Sequence, residues 1–160
     1  MKIGVVSDTH SKRLPRQMKK DFAGVDVIFH VGDFCDPDTC RQLAEIKPVK
    51  GVCGNMDDEQ IIRQFPRREI VSCGHRRIGL CHGEGAPGTI LERVRQEFKK
   101  DKVDAVIFGH SHQPFNEKIE GVLYFNPGSP TDMIFAPYRS YGILEVTDEG
   151  IQGKIIKVED

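Results

Sequence analysis

The sequence predicts an α/β protein, and two observations support that class. Short apolar runs rich in Val, Ile and Phe recur along the 160 residues, and each stops at polar or turn-forming residues, as strands buried on both faces of a sheet do. Between several of them lie segments with helix-capping residues or with apolar side chains at helical spacing. The predicted strands cover 2–7, 27–31, 49–53, 69–72, 77–81, 103–108, 122–125, 141–146 and 151–158, and the predicted helices cover 12–20, 36–45 and 89–100.

The first three predicted strands each end in polar side chains. Asp8 and His10 follow the first strand. The second stops on Gly32-Asp33, where a glycine allows a sharp turn and the carboxylate can project into a crevice. Asn55 follows the third strand. We expect Asp33 to lie at the centre of a site.

The later strands repeat this placement. Two strands joined by the turn at 73–75 are predicted to pair, and His82 follows the second of them. The strand at 103–108 ends in His110 and His112, and a hairpin closes the chain. Asp36-Pro37 predicts a capped helix start, which gives Asp36 a structural role.

Length and composition predict a single domain over residues 1–160. No apolar run is long enough to span a membrane, and the first residues turn polar too early for a signal peptide, so we expect a cytoplasmic protein. Five cysteines without C-x-x-C spacing predict reduced thiols. A net charge of −1 with scattered basic pairs makes nucleic acid an unfavoured partner without excluding it.

Side chains with metal-ligating atoms thus recur at the ends of predicted strands. Because such ends meet at one edge of a sheet, these side chains are predicted to converge. Imidazole, carboxylate and amide donors without thiolate suit Mn, Fe, Ni or Zn in a catalytic site. Seven ligands are too many for one ion but suit two ions about 3.5 to 4 Å apart that share a carboxylate. The seven are Asp8, His10, Asp33, Asn55, His82, His110 and His112.

The ordered motifs resemble those of the calcineurin-like metallophosphoesterases, in particular their small single-domain, YfcE-like phosphodiesterase branch. The motifs are D-x-H, G-D, G-N-x-D, H-G and G-H-x-H, and they span residues 8 to 112 in this order. Each motif alone is weakly specific, whereas the ordered set is strongly specific. The resemblance implies a four-layer α/β/β/α sandwich of two mixed sheets flanked by helices, with the site at the strand ends.

The resemblance also implies a dinuclear metal centre with phosphoesterase activity. A hydroxide bridging two divalent ions would attack a small phosphodiester or phosphomonoester in line. Mn²⁺ is the first candidate ion, followed by Ni²⁺, Fe²⁺, Zn²⁺ or Mg²⁺. One ion would be held by Asp8, His10, Asp33 and His112, and the other by Asp33, Asn55, His82 and His110. The implied catalytic residues are Asp33, which bridges the ions, and Asn55, His82 and His10.

Met56 departs from the family pattern. Much of the family has histidine at this position, and that imidazole is thought to assist the leaving group. A methionine can neither donate a proton nor stabilise an oxyanion, and loss of general acid catalysis typically costs about 10² to 10⁴ in rate. The small phosphodiesterase branch often lacks this histidine too. We therefore expect diesters with acidic leaving groups to be hydrolysed better than alkyl monoesters.

Other functions compete with this one. The G-x-G-x-x-G pattern at 83–88 matches a dinucleotide-binding motif, but Asp104 opens the next strand, whereas a ribose-binding acid would end it. The alternative to an enzyme is a metal-binding scaffold of the same fold that docks other proteins with little or no catalysis. The absence of the family's histidine at Met56 favours this alternative. A nuclease stays open within the enzyme class, and a homo-oligomer stays open as an assembly.

Several residues have two interpretations. His30 is predicted to be packed or to support a ligand rather than to bind metal itself. Asn126 and Ser129 either hydrogen-bond a ligand histidine or the substrate, or form a turn. The segment 130–139 is predicted to be a loop. Candidates for the walls of the crevice are Phe34, Phe115, Phe135 and Tyr138.

Overall fold

The computed structural model describes residues 1–159, which form ten strands and four helices. The strands are β1 (Lys2–Val6), β2 (Val27–Val31), β3 (Val49–Val52), β4 (Arg68–Cys73), β5 (Arg76–Cys81), β6 (Ala105–Ile107), β7 (Phe115–Ile119), β8 (Val122–Asn126), β9 (Ser140–Thr147) and β10 (Gly150–Lys157). The helices are α1 (Arg16–Phe22), α2 (Pro37–Ala44), α3 (Glu59–Gln64) and α4 (Ile90–Phe98).

The strands form two mixed sheets of five. The first has the order β10-β9-β1-β2-β3, in which β1, β2 and β3 run parallel and β9 runs antiparallel to β1. The second has the order β4-β5-β6-β8-β7, in which β5, β6 and β8 run parallel between two antiparallel edge strands. Each sheet therefore directs the carboxyl ends of three parallel strands toward one edge.

Three apolar layers hold the sheets and helices together. Val5 and Phe29 of the first sheet belong to the same buried cluster as Leu80 and Ile107 of the second, so the central layer lies between the sheets. The outer face of the first sheet is covered by α1, α2 and α3, which contribute buried side chains such as Leu43. The outer face of the second sheet is covered by α4. The predicted four-layer α/β/β/α sandwich is confirmed.

Capping residues define the helix starts. The carboxylate of Asp36 accepts the Thr39 N–H at 3.0 Å, as its position before proline predicts. At α4, Thr89 Oγ1 accepts the Glu92 N–H at 3.2 Å and the Glu92 carboxylate accepts the Thr89 N–H at 2.7 Å. The helix N-terminus that follows the 83–88 glycines is therefore occupied by the Glu92 carboxylate of this capping box. In a dinucleotide fold, phosphate would bind at that position.

Two short elements depart from the sequence expectation. Helix α3 has six residues and buries Ile61 alone, so it is too short to show helical periodicity. Strand β7 has the sequence F-N-E-K-I with an exposed centre, and it is held by its pairing with β8 at the sheet edge rather than by burial. Within residues 1–159, no helix has the length and apolar character of a membrane span.

Candidate metal centre

The carboxyl ends of the parallel strands of the two sheets meet, and five of the predicted ligands lie together there. Asp8, His10 and His112 form one group, and Asp8, Asp33 and His82 form another; within each group the ligand atoms lie within 4.8 Å of one another. Asp8 belongs to both groups. The two groups come from β1 and β2 of the first sheet and from β5 and β6 of the second, so the site depends on the packing of both sheets.

Distances within the cluster match the spacing of ligand atoms around a bound cation. His82 Nε2 lies 3.2 Å from Asp33 Oδ2, and His112 Nε2 lies 3.4 Å from Asp8 Oδ1. His10 Nε2 lies 3.2 Å from His112 Nε2. Ligand atoms about 3.4 Å apart are what a tetrahedral site with metal–ligand bonds of about 2.0 to 2.1 Å requires.

Two buried atoms of the cluster have no hydrogen-bond partner within residues 1–159. They are Asp8 Oδ1 and His82 Nε2. Both belong to fully or almost fully buried residues, and an unpartnered polar atom in the interior costs about 1 to 3 kcal/mol. A divalent cation between them would satisfy both atoms, so the residues fit the metal that the sequence predicts.

The backbone turns sharply at these positions. Five predicted ligands have left-handed φ angles between 49° and 68°, although none is glycine. Such a conformation costs about 1 to 2 kcal/mol per residue and typically concentrates at functional sites. Gly32, with φ of 98°, makes the predicted turn before Asp33. The five are Asp8, His10, Asp33, His110 and His112.

Asp57 holds two of the ligand loops together. Its Oδ2 atom accepts the N–H groups of Asp33 at 3.0 Å and of Gly54 at 2.7 Å, and its Oδ1 atom accepts the Cys35 N–H at 2.7 Å. A Cβ atom on Gly54 would lie 2.2 Å from Asp33 Oδ1, so the loops approach too closely for any other residue. The motif G-N-x-D thus has a structural acid at its end.

His110 and Asn55 take different places from the other five. The His110 N–H donates to Asp8 Oδ2 at 3.0 Å, and its ring centroid lies 5.2 Å from that of His82. Asn55 is exposed, and within residues 1–159 its side chain makes no hydrogen bond. The ligand roles of all seven residues stay predictions.

Each of three clustered imidazoles has a partner at Nδ1, which leaves Nε2 facing the site. His82 Nδ1 lies 2.7 Å from the carbonyl oxygen of Val31, and His10 Nδ1 lies 3.3 Å from Cys35 Sγ. His112 Nδ1 lies 2.5 Å from Asp132 Oδ2. Metal-ligating histidines characteristically donate from the other ring nitrogen in this way. Sequence reasoning missed Asp132.

Comparison with known protein families identifies the family of this chain. The profile of the calcineurin-like phosphoesterase superfamily domain matches residues 1–149. The chain belongs to the calcineurin-like phosphoesterase superfamily. A probable metallophosphoesterase of Methanocaldococcus jannaschii is 36% identical to it over 165 residues, which cover all of this chain and 83% of the relative.

Two further similarities, one to a curated relative and one to a solved structure, support different conclusions. A protein of Methanocaldococcus jannaschii that is named a phosphodiesterase is 29% identical, and the match covers 80% of this chain and 83% of that protein. The crystal structure of wild-type Vps29 complexed with Zn²⁺ from Entamoeba histolytica has a TM-score of 0.79 at 22% identity, covering 99% of this chain and all of that one. The second likeness supports the fold alone.

Charged and titratable groups within this candidate site influence one another's pKa values. Burial by itself lowers the pKa of His82, but its close contact with Asp33 and the charge of Asp8 outweigh burial and raise the pKa to about 9. The close contact of its Nε2 atom with the Asp8 carboxylate raises the pKa of His112 to about 9. Burial alone raises the pKa of Asp33, but its contacts with His82 outweigh this and lower it. The carboxylates thus favour positive charge at the centre of the site.

His30 is packed in the interior next to the loops that carry the candidate ligands. It is fully buried, and its Nδ1 atom accepts the Gly32 N–H at 3.2 Å. The hydrogen must therefore be on Nε2, which donates to Thr9 Oγ1 at 3.1 Å. Burial lowers its pKa well below the ordinary value, so the ring is neutral. Its ring stacks on Phe34 with centroids 3.5 Å apart.

Asn126 and Ser129 hold the backbone of the ligand loops. Asn126 Nδ2 donates to the Gly109 carbonyl at 2.9 Å, and its Oδ1 atom accepts the Gly128 N–H at 2.8 Å. Ser129 Oγ donates to the Asp8 carbonyl at 2.8 Å. Of the two interpretations, the structure favours the turn, which here hydrogen-bonds to the backbone of the candidate site.

The candidate wall residues separate into two classes. Phe34 is fully buried against Phe65 and is not part of a wall, and Phe115 is partly buried near Phe108. The side chain of Phe135 is 76% exposed. Tyr138, at 38% exposure, lies in the same loop, so the segment 130–139 retains the solvent-facing candidates.

Proposed function

We propose that this protein is a dinuclear metal-dependent phosphoesterase that hydrolyses phosphodiesters in preference to phosphomonoesters. The observation that carries the proposal is the pair of buried, unpartnered ligand atoms, Asp8 Oδ1 and His82 Nε2, beside Asp33. A cation bound between a buried carboxylate oxygen and a facing imidazole nitrogen would give both atoms a partner. Membership of the superfamily supports phosphoester hydrolysis as the reaction.

The proposed ligands divide into two sets that share Asp33. Asp8, His10, Asp33 and His112 would hold one ion, and Asp33, Asn55, His82 and His110 the other. The observed groups place Asp8 close to ligands of both sets, which supports a compact pair of ions. Oxygen and imidazole donors accept Mn²⁺ first and also Ni²⁺, Fe²⁺, Zn²⁺ or Mg²⁺, and availability decides among them.

The chain's own residues supply charge and orientation. Divalent ions in such a site activate water and bind phosphate oxygens. Asp33, whose Oδ1 atom accepts the Met56 N–H at 2.8 Å, keeps its carboxylate ionised and fixed at the centre. His82 is oriented by the Val31 carbonyl, and His10 by Cys35. Together with Asn55, these side chains would position the reacting phosphate.

Preference for diesters follows from Met56. Its side chain is 59% exposed and offers no proton, so the leaving group must depart without a general acid from this position. Aryl groups leave a diester as weakly basic phenolates, so they need a general acid least. The phosphodiesterase name of a relative at 29% identity supports the same preference.

The test is hydrolysis of bis-p-nitrophenyl phosphate by protein that is first chelated and then resupplied with Mn²⁺, Ni²⁺, Zn²⁺ or Mg²⁺. We expect at least one metal to restore turnover, and we expect Asp33→Asn to lower it by more than about 100-fold because loss of a ligand exceeds the effect of its supporting residues. Asp148→Asn, the same change at an exposed residue in the β9–β10 turn, is the control. Faster hydrolysis of p-nitrophenyl phosphate than of its bis ester would contradict the diester preference.

A metal-binding scaffold is the second candidate function. It is supported by the exposed apolar side chains of Met133 at 81%, Ile134 at 79% and Phe135 at 76%, and by the fold shared with Vps29. Under this alternative the protein binds metal, but no metal restores hydrolysis of either ester. Both candidates assign residues 1–160 to a single domain.

A further inference from the structure

The carboxylate of Asp132 is outside the predicted ligand set, yet it contacts one member of that set directly. Asp132 is 4% exposed, and its Oδ2 atom lies 2.5 Å from His112 Nδ1. The same carboxylate also accepts backbone N–H groups from the turn that follows it. Oδ1 accepts from Ile134 at 2.8 Å and Phe135 at 3.2 Å, and Oδ2 accepts from Ala136 at 3.0 Å.

These backbone contacts determine which nitrogen of His112 carries hydrogen. Backbone N–H groups can only donate, and their contacts with both oxygens favour the ionised carboxylate, which has no hydrogen to give. His112 Nδ1 must therefore donate to Asp132. In the neutral form of the ring, which is the form that binds a metal, the lone pair is then on Nε2, the atom that faces Asp8 Oδ1 at 3.4 Å and His10 Nε2 at 3.2 Å. This is the tautomer that can ligate a metal from inside the cluster.

Asp132 is also connected by hydrogen bonds to the backbone of Asp8. Its N–H donates to Ser129 Oγ at 3.0 Å, and that hydroxyl donates to the carbonyl of Asp8 at 2.8 Å. The contacts thus form a closed ring from Asp8 through Ser129 and Asp132 to His112 and back to the Asp8 carboxylate. Displacement of the Asp132 carboxylate would displace the His112 ring relative to Asp8.

We propose that Asp132 is a positioning residue that holds His112 in the orientation and tautomer required for metal binding. The inference rests on the proposed ligand role of His112. An amide at position 132 would offer one accepting oxygen and one NH₂ group, so either His112 Nδ1–H or the N–H groups of the turn would face a donor. We expect Asp132→Asn to raise the Kd for Zn²⁺ by about 10- to 100-fold.

The experiment measures the Kd for Zn²⁺ alone, by competition with a chromogenic chelator, for wild type, Asp132→Asn, His112→Asn and Asp104→Asn. Asp104 is a matched control because its carboxylate also accepts a backbone N–H, from Arg77 at 2.8 Å, and contacts a cationic side chain, Arg76 Nη1 at 2.9 Å. It lies at the start of β6, away from the site. We expect Asp104→Asn to leave the Kd unchanged.

A spectroscopic readout tests the tautomer in the wild-type protein itself. In Zn²⁺-loaded protein with ¹⁵N-labelled histidine, the His112 ring should show a hydrogen on Nδ1 that is protected from exchange. A hydrogen on Nε2 would overturn the inference even if Asp132→Asn failed to fold. Asp132→Glu, which retains a carboxylate, should bind Zn²⁺ more tightly than Asp132→Asn; equal affinities would show that the charge and acceptor role are not what matters.

The outcomes separate this inference from the proposed function. Weaker binding in both His112→Asn and Asp132→Asn supports both. Weaker binding in His112→Asn alone overturns the role of Asp132 and leaves the metal site standing. Unchanged binding in His112→Asn removes the ligand role on which the inference rests, and no Zn²⁺ binding by the wild type overturns both.

Discussion

The two ends of the sheets make their sharp turns with different residues. At the site end, left-handed backbone is occupied by side chains with functional groups, including Asp8, Asp33 and His110. At the opposite end, the β4–β5 and β7–β8 turns use Gly74 and Gly121, with φ of 60° and 85°, and a Cβ atom at either would meet nothing within 4 Å. Glu120, with φ of 50°, is a left-handed residue other than glycine in the second of these turns. Left-handed residues other than glycine are therefore concentrated at the site end.

This difference implies that the site end is held in place by something other than local preference. Left-handed residues that are not glycine cost about 1 to 2 kcal/mol each, so surrounding contacts must compensate. Asp57 supplies three hydrogen bonds to the loop backbones there. Asp132 supplies the turn contacts and the contact to His112. Buried carboxylates thus act as braces for strained ligand loops.

The largest expected effect comes from removal of the brace at Asp57. Asp57→Ala leaves the N–H groups of Asp33 and Gly54 without their acceptor, and we expect a loss of about 2 to 4 kcal/mol in the free energy of unfolding, because buried unsatisfied groups cost about 1 to 3 kcal/mol each. Urea denaturation measures this. Asp104→Ala at the opposite end should cost about 1 kcal/mol or less, since its partners are partly exposed. Equal losses would remove the contrast between the two ends.

Metal binding should stabilise the site end by a comparable amount. Zn²⁺ at 100 times its Kd should raise the free energy of unfolding by about 2.7 kcal/mol through mass action. Thermal and urea denaturation with and without chelator measure the difference. Asp33→Asn should lose most of this gain, whereas Asp148→Asn should retain it. Stabilisation that persists in Asp33→Asn would show that the ion binds elsewhere.

The sequence predicted the fold, and it predicted that candidate ligands converge, because both depend on strand ends. A buried strand has a continuous apolar run, and a polar residue just after it can be recognised without tertiary information. His82 and His110 were located in this way although they belong to the second sheet. The braces were not predicted, because their partners are backbone N–H groups, which leave no mark in a sequence.

Asp132 shows most clearly which contacts could not be predicted from the sequence. It lies 20 residues after His112 in a segment without periodicity, and the contact forms only because β8 and its following turn lie beside the ligand loop. An acid followed by a turn is its one local signal, and that signal is common in loops. Helix α3 and strand β7 were missed for a related reason, since each is short and held mainly by neighbours.

A matched pair of glycine exchanges tests the contrast in local strain. Ser11, with φ of 56°, is an exposed left-handed residue at the site end. Ser11→Gly should raise the free energy of unfolding by up to about 1 kcal/mol, because relief of left-handed strain exceeds the entropy cost of glycine. Gly74→Ala should lower it by about 1 kcal/mol for the opposite reason. Changes of the same sign in the two variants would contradict the strain argument.

The smallest expected effect is the pH dependence of the opposite end. Partial burial alone raises the pKa of Asp104, but the hydrogen bonds from Arg77 and Arg76 outweigh burial and lower it below the ordinary value of 3.8. A carboxyl group with a lowered folded-state pKa stabilises the protein above its unfolded pKa, and that stability is lost as pH falls through the folded-state pKa. The difference in urea midpoint between wild type and Asp104→Asn should therefore be constant at pH 5 and above and shrink below about pH 4. A difference that stayed constant down to pH 3 would mean that the Arg76 contact contributes through packing of its side chain rather than through the charge of Asp104.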